Sequence, residues 1–286
     1  MSGRSLGFIP AETNTLLNVK ASIEYLDRGT DRLALHHYPS PGPDAPHAVL
    51  WPAMGVQAHY YRRFAVDLHA QGVAVTVVDL RGTGASTPPP SRASRYGYAE
   101  LVDDVGAVQR ALGDRPTVLI GHSLGGQAAL LYAATSADPT VTHVVLVAVG
   151  LPYWRLYRGA RRGLRLFAPF TRATSAVLGR WPGWGFGGIQ ARRVISDWAY
   201  TAQHGRYRDP AAEAALGSLK LPVLAVSVED DQFTPAPTVD HLVGKLTTAT
   251  VEREHFTVEQ AGARLDHFLW VRSAGPLAAR IAGFVR

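Results

Sequence analysis

Residues 117–134 read TVLIGHSLGGQAALLYAA: a short apolar run, a Gly-x-Ser-x-Gly pattern, and then a run of helix-forming residues. The apolar run predicts a buried strand, and the second run predicts a helix. A sharp turn between them lifts the hydroxyl of Ser123 out of the sheet, and only glycine fits at Gly121 and Gly125. The N–H groups at the start of the helix then point toward the serine. In this setting the pattern predicts a nucleophilic serine, against the alternative of a plain glycine–serine turn.

Strands and helices alternate along most of the chain on both sides of Ser123. Residues 73–80 (VAVTVVDL) are almost all apolar, as expected of a strand buried on both faces of a parallel sheet. The predicted strands are Ala21–Tyr25, Leu33–Tyr38, His47–Trp51, Val73–Leu80, Thr117–Ile120, Val141–Val149, Val223–Val228 and Thr250–Phe256. The predicted helices are Tyr60–Ala70, Tyr98–Leu112, Leu124–Ala137, Pro237–Leu246 and Pro276–Phe284. This alternation predicts an α/β fold with a mostly parallel central sheet flanked by helices.

Residues 151–215 interrupt the alternation. They are rich in Arg, Gly and Trp, and they contain no strand-like run. A chain of 286 residues is long enough for one α/β domain with an insertion. We therefore expect a single core formed by residues 1–150 and 216–286, with a helical lid or cap at 151–215.

Several motifs around Ser123 carry a family resemblance. Residues 79–86 (DLRGTGAS) resemble the D-x-R-G-x-G-x-S turn found across α/β-hydrolases. The segments PAMGV (52–56), GHSLGG (121–126) and DHFLWVR (266–272) are similar to a poorly characterised bacterial branch of predicted serine hydrolases. The resemblance covers about residues 20–285 and implies the α/β-hydrolase fold and a serine-hydrolase mechanism. It implies no particular substrate.

A serine nucleophile needs a general base that is oriented by a carboxylate. In this fold the acid follows the serine in the chain, and the histidine comes last. The strand over residues 221–228 is followed directly by Glu229, Asp230 and Asp231, and all three are candidates. The run Asp231–Pro235 resembles the D-x-x-x-P turn that carries the acid in many relatives, so we choose Asp231 over Asp230 and Glu229.

Three histidines follow the acid. His241 falls within a predicted helix and is expected at the surface, and His255 falls near the end of the last strand. His267 lies in a loop before the final helix, where relatives carry a G-H-F turn, although Asp266 here replaces the glycine. We therefore choose His267 as the base, with His255 as the alternative. His122, beside the nucleophile, is expected to be structural.

Acyl transfer also needs two N–H groups directed at the developing oxyanion. One is expected from Leu124, the residue after the nucleophile. The other is expected from the loop at residues 51–56 (WPAMGV), and alignment with relatives points to Met54. The alternative is a tight loop with an incidental methionine.

Composition limits the remaining possibilities. The chain has no cysteine, so disulfides and cysteine-based metal sites are excluded. The first 15 residues contain no apolar run typical of a signal peptide, and no stretch is long enough to span a membrane. We expect a cytoplasmic protein that needs no metal or organic cofactor. No nucleic-acid motif is present, and residues 82–84 lack the third glycine of a dinucleotide fingerprint.

The insertion has a composition of its own. Eleven of its residues are Arg against three acidic residues, which gives residues 151–215 a charge of +8. Arg158, Arg161, Arg162 and Arg165 are spaced as one side of a helix, with Leu156, Ala160, Leu164 and Phe167 on the other side. Such a basic amphipathic helix could attract an anionic substrate, an acyl-carrier partner or a membrane surface, although a solvated helix face is the simplest account.

The insertion also holds ten aromatic residues: Tyr153, Trp154, Tyr157, Phe167, Phe170, Trp181, Trp184, Phe186, Trp198 and Tyr200. Over a nucleophile, they indicate a pocket for an apolar or ring-containing acyl group, or simply packing of the insertion onto the core.

The leading hypothesis is hydrolysis of a carboxylic ester, lactone or thioester by Ser123, His267 and Asp231. Acyl transfer or cyclisation through the same acyl-enzyme is the second hypothesis, and a catalytically silent binding protein is the third. An Asp nucleophile would have indicated epoxide or haloalkane chemistry, so Ser123 argues against both.

Overall fold

The computed structural model describes residues 20–286, except for the side chains of Ala160 and Arg161. The strands of the large sheet are β1 (Ser22–Arg28), β2 (Asp31–His37), β3 (His47–Trp51), β4 (Ala74–Val78), β5 (Thr117–His122) and β6 (Val141–Val147). A short pair follows, β7 (Arg180–Trp181) and β8 (Gln190–Ala191), before the sheet resumes with β9 (Val223–Val228) and β10 (Val251–Phe256). The N-terminal stretch judged above for a signal peptide lies outside the described residues.

The large sheet has the order β1-β2-β4-β3-β5-β6-β9-β10. β2 pairs antiparallel with β1 and β4, and every other neighbouring pair in the sheet is parallel. β5 thus lies in the middle of the sheet, where its carboxyl end is flanked by strands on both sides. This confirms the predicted α/β fold with a mostly parallel sheet.

Helices cover both faces of the sheet. They are α1 (Arg62–Ala70), α2 (Tyr98–Leu112), α3 (Ser123–Ser136), α4 (Leu164–Leu178), α5 (Arg192–His204), α6 (Pro210–Ala215), α7 (Ala236–Val243), α8 (Val258–Ala261) and α9 (Gly275–Phe284). Successive residues of β5 face opposite sides: Leu119 packs in the core beneath α2 and α3, whereas Val118 and Ile120 pack in the core beneath α1 and α9. The continuous apolar runs that predicted the strands reflect this burial on two faces.

Residues 151–215 lie between β6 and β9 and contain α4, α5 and α6. Two sequence predictions for this segment are wrong. The basic amphipathic helix around Arg158–Arg165 is instead a 3-10 turn over Gly159–Gly163 followed by α4, because Gly159 has a φ of +55°, which an α-helix does not allow. The segment also contains the antiparallel pair of β7 and β8, whose two residues each are too few to produce a recognisable alternation.

Candidate active site

The turn between β5 and α3 holds Ser123 in a strained backbone conformation. Its φ is +51°, which a residue with a side chain rarely adopts. A Cβ at Gly121 would lie 2.1 Å from the Cα of Gly126, and a Cβ at Gly125 would lie 2.3 Å from the carbonyl oxygen of Pro52. These two close approaches are the physical reason for the Gly-x-Ser-x-Gly pattern.

Asp231 and His267 form a buried pair. Nδ1 of His267 lies 2.8 Å from Oδ2 of Asp231, and both residues are less than 5% exposed. The backbone N–H groups of Phe233 and Thr234 donate to Oδ1 of Asp231 at 2.8 Å each, and the Thr234 hydroxyl lies 2.6 Å from Oδ2. The turn that follows β9 thus surrounds this carboxylate with hydrogen-bond donors.

These donors determine the charge state of Asp231. Burial alone would raise the pKa of this carboxyl group, but the hydrogen bonds from His267 and Thr234 and the attraction of His267 outweigh it and hold the pKa below its ordinary value. Asp231 is therefore ionised at neutral pH. An ionised carboxylate on Nδ1 leaves Nε2 as the nitrogen of His267 that can exchange a proton with a substrate or a nucleophile.

The rival acids and bases lie elsewhere. Asp230 is exposed, and Oε2 of Glu229 accepts a hydrogen bond from the backbone of Val258. His255 is exposed on β10, with its Nδ1 2.8 Å from the hydroxyl of Ser227. His241 pairs with the carbonyl oxygen of Gly205 at 2.7 Å. Of the candidates from the sequence, the structure brings together only Asp231 and His267.

Ser123 and His267 line the same cavity, which has a volume of about 400 Å³. Among the described residues no direct hydrogen bond joins their side chains. In free enzymes such catalytic contacts are often long and tighten only when the substrate binds. Both predicted oxyanion donors, Leu124 and Met54, also line this cavity.

The loop that carries Met54 is a tight turn. The N–H of Val56 donates to the carbonyl oxygen of Ala53 at 3.0 Å, and Gly55, the third residue of the turn, has a φ of +73°. The N–H of Gly125 donates to the carbonyl oxygen of Pro52 at 3.0 Å. The loop is thereby joined to the first turn of α3, beside Ser123.

A buried network behind the loop was not foreseen in the sequence. The N–H of Ala53 donates to the hydroxyl of Tyr61 at 2.9 Å, and that hydroxyl lies 2.7 Å from Nδ1 of His122. Burial holds the pKa of His122 well below its ordinary value, and His267 acts in the same direction, so His122 is neutral and can accept the tyrosine proton. The ring of Trp270 packs edge-on against His122, with the ring centroids 5.3 Å apart. His122 is therefore a structural partner of the loop.

Asp266, which replaces the glycine that relatives carry before the histidine, has a structural role. Its Oδ1 accepts hydrogen bonds from the backbone N–H groups of Phe268 and Leu269 at 2.7 Å each. The side chain thus shapes the turn after His267 and supports the 3-10 helix Leu269–Ser273. This aspartate stabilises the turn that presents the histidine.

Four of the ten aromatic residues in the insertion line the cavity: Tyr157, Phe167, Phe186 and Trp198. The ring centroids of Phe186 and Trp198 lie 4.5 Å apart, and Phe167 contacts both rings at about 6 Å. The Tyr157 hydroxyl donates to the carbonyl oxygen of Phe233 in the acid turn. Residues 151–215 therefore supply much of the apolar wall of the cavity that Ser123 lines.

Residues 20–286 contain neither a candidate metal centre nor a membrane-spanning helix. This part of the chain contains no cluster of three or more His, Asp or Glu side chains arranged to hold a metal ion. None of its helices is both long enough and apolar enough to cross a membrane.

Comparison with known proteins agrees with this architecture. Residues 47–185 match the family model of the α/β-hydrolase fold. Epoxide hydrolase 3 of Xenopus tropicalis is 35% identical over 88 residues, which cover 31% of this chain and 23% of that protein. The AB hydrolase superfamily protein YisY of Bacillus subtilis (strain 168) is 32% identical over 99 residues, which cover 35% of this chain and 36% of YisY.

Solved structures extend the likeness over most of the chain. The thioesterase domain from the curacin biosynthetic pathway has a TM-score of 0.61 at 19% identity and covers 93% of this chain and 99% of that one. These likenesses show the α/β-hydrolase fold for this chain. The sequence alignments span only 23% to 54% of the length of the curated relatives that it matches.

Proposed function

We propose that the protein is a serine hydrolase that cleaves a carboxylic ester, lactone or thioester through an acyl-enzyme. The observation that carries this proposal is the arrangement around one cavity: Ser123 stands on a strained turn, and His267 is held through Nδ1 by the buried Asp231 at 2.8 Å. A serine hydroxyl is a weak nucleophile at neutral pH, and a histidine oriented by a carboxylate activates it.

In the proposed reaction, the oxygen of Ser123 attacks the substrate carbonyl while Nε2 of His267 takes the serine proton. His267 then gives that proton to the leaving alcohol or thiol, and the acyl group remains on the serine. A water molecule releases the acyl group in a second cycle with the same proton transfers. Asp231 holds the imidazole in the required tautomer and stabilises its charged form.

The negative charge that develops on the carbonyl oxygen needs hydrogen-bond donors at the same point. We assign this role to the backbone N–H groups of Leu124 and Met54, which belong to two segments joined by the hydrogen bond from Gly125 to Pro52. Loss of one such donor typically lowers turnover by about 10²–10³-fold.

The cavity wall supports an apolar or ring-containing acyl group as substrate. Phe167, Phe186 and Trp198 of the insertion line the same cavity as Ser123, so we propose that residues 151–215 act as a lid. The curacin-pathway domain named above is a thioesterase on a similar fold, and thioester cleavage is accordingly within the proposal.

A fluorophosphonate probe tests the proposal, because it reacts covalently with activated serines. We expect the wild-type protein to be labelled, no labelling of Ser123→Ala, and at least about 100-fold slower labelling of His267→Ala. His255→Ala is the matched control, since this exposed histidine pairs with Ser227, and it should be labelled at the wild-type rate. Unlabelled wild-type protein, or labelling that survives Ser123→Ala, would contradict the proposal.

A further inference from the structure

Helix α4 exposes large apolar side chains on its outer side. Leu166 is 75% exposed, Phe170 is 53% exposed and Val177 is 82% exposed. With the exposed Ala173 they occupy positions i, i+4, i+7 and i+11, which form one narrow stripe along a helix. The opposite side of α4 is occupied by buried residues such as Ala168. The helix therefore has two apolar sides, and only one of them is covered by the protein.

The loop between β7 and β8 exposes two more large apolar side chains. Trp184 is 59% exposed and Ile189 is 44% exposed. Ring contacts lead from Phe170 through Phe167 and Trp181 to Trp184, with centroids 5.9 to 6.5 Å apart. We call the exposed set Leu166, Phe170, Val177, Trp184 and Ile189 the apolar face. Exposed large apolar side chains gathered in one segment in this way mark an interaction site.

The charge around the apolar face has a single sign. Residues 151–196 contain nine Arg, no Lys and no acidic residue. Arg158, Arg162, Arg165 and Arg172 are exposed, and none of them forms an ion pair with an acidic side chain in the described part of the chain. Arginines with no local counter-charge provide electrostatic attraction for a negatively charged partner.

We propose that the apolar face and its arginines bind the surface of an anionic lipid membrane. An amphipathic helix with exposed Leu, Phe and Trp beside Arg residues is the combination that inserts between lipid headgroups, with the apolar side chains in the acyl boundary and the cations at the phosphates. A second copy of this chain fits poorly, because two such faces would bring the exposed Arg158, Arg162, Arg165 and Arg172 against the same four arginines. The binding requires no catalysis and stands independently of the proposed reaction.

The face also lies next to the cavity. Phe167, which lines the cavity, contacts the exposed Phe170 with ring centroids 6.5 Å apart. A membrane bound to the apolar face would therefore lie one side chain from the wall of the cavity that Ser123 lines.

Vesicle co-sedimentation tests this proposal with the full-length protein. We expect binding to vesicles with about 30% phosphatidylglycerol in phosphatidylcholine, much weaker binding to pure phosphatidylcholine, and loss of binding as salt rises. Leu166→Ser/Phe170→Ser should weaken binding by about tenfold or more. Each arginine near an anionic surface contributes about fivefold, so Arg162→Gln/Arg165→Gln/Arg172→Gln should weaken binding by about 100-fold.

Matched control variants test whether binding requires this face or only exposed apolar side chains in general. Ile23→Ser/Tyr25→Ser changes two side chains on β1 that are 48% and 45% exposed, and it should bind vesicles like the wild type. Ser123→Ala should also bind normally, so failure of the serine chemistry cannot imitate failure of the membrane site. Thermal melting checks that each variant is folded.

Three results would overturn the proposal. The first is no binding to anionic vesicles, and the second is equal binding by the Leu166→Ser/Phe170→Ser variant. The third is binding to soluble polyglutamate as tight as to anionic vesicles, which would assign the face to an acidic protein partner.

Discussion

The hydroxyl of Tyr61 joins the loop that carries Met54 to His122, the residue before Ser123, and Tyr61→Phe removes that link alone. The ring of Tyr61 is fully buried and would remain in place. The variant leaves two buried polar groups without a partner, the N–H of Ala53 and Nδ1 of His122, which lie 2.9 and 2.7 Å from the hydroxyl. Neither group can reach water, so both bear the full cost of burial.

Each orphaned group costs about 1–3 kcal/mol, and relief from burying the hydroxyl offsets part of this. We expect the free energy of unfolding to fall by about 2–4 kcal/mol. In a chain of this size, that lowers the melting temperature by about 4–8 °C. The Ala53–Met54 segment also loses a fixed orientation, so kcat should fall by about 10- to 100-fold with little change in KM, less than complete loss of an oxyanion donor.

Hydrolysis of a nitrophenyl ester gives kcat and KM, and the melting temperature is measured on the same samples. Tyr132→Phe is the control, because Tyr132 lies far along α3 and its hydroxyl donates to Oδ2 of Asp138 at 2.6 Å. It should lose stability and keep wild-type kcat. If Tyr61→Phe melts lower but keeps kcat within twofold, the hydroxyl serves stability only. The hydrogen bond from Gly125 to Pro52 would then be enough to hold the loop.

Three further outcomes are expected. Asp231→Asn should lower the fluorophosphonate labelling rate by about 10³–10⁴-fold, because His267 loses the carboxylate that fixes its tautomer. Folding lowers the pKa of Asp231 below its ordinary value of 3.8. The ionised carboxylate therefore stabilises the folded protein fully above that pH, and this stabilisation is lost as the pH falls through the folded pKa. The melting temperature of the wild type should consequently fall more steeply below about pH 4 than that of Asp231→Asn. Gly125→Ala should lower the free energy of unfolding, measured by chemical denaturation, by about 3 kcal/mol or more, because the new Cβ would lie 2.3 Å from the carbonyl oxygen of Pro52. Gly283→Ala on α9, where a Cβ meets open space, should be neutral or stabilising.

The parts of the fold that follow a local pattern could be predicted from the sequence. β4 and β5 are buried on both faces, so most of their residues are apolar, and these runs are visible without any tertiary information. The turn at Ser123 is equally visible, because the close approach of Gly121 to Gly126 restricts both positions to glycine.

The parts that depend on distant contacts could not be predicted. Tyr61 and His122 are 61 residues apart and meet only because β3 and β5 are neighbours in the sheet, and no spacing along the chain indicates this. The apolar stripe of α4 was obscured for a different reason. The spacing of the arginines predicted a helix that runs through Gly159, but the backbone of Gly159 does not allow it. The helix begins only at Leu164, and Leu166 and Phe170 on it face solvent.

The backbone of Ser123 provides a last prediction, which separates strain from chemistry. Ser123→Ala and Ser123→Gly both remove the hydroxyl and should both abolish labelling, but only glycine is relaxed at a φ of +51°. The left-handed conformation costs a residue with a Cβ about 1–2 kcal/mol, and the greater freedom of glycine in the unfolded chain offsets part of this. The free energy of unfolding of Ser123→Gly should therefore exceed that of Ser123→Ala by about 1 kcal/mol, and its melting temperature should be about 2–4 °C higher.

Ala128→Gly, in the middle of α3, gives the opposite sign as a control. Glycine in a right-handed helix is less stable than alanine by about 1 kcal/mol. If Ser123→Gly instead melts below Ser123→Ala, the turn is not strained, and the conformation at the nucleophile is one that the surrounding chain favours. If Ser123→Gly melts higher, the protein holds Ser123 in a strained conformation at a cost in stability. The contacts that offset this strain are then the hydrogen bond from Gly125 to Pro52 and the packing of Gly121 on Gly126.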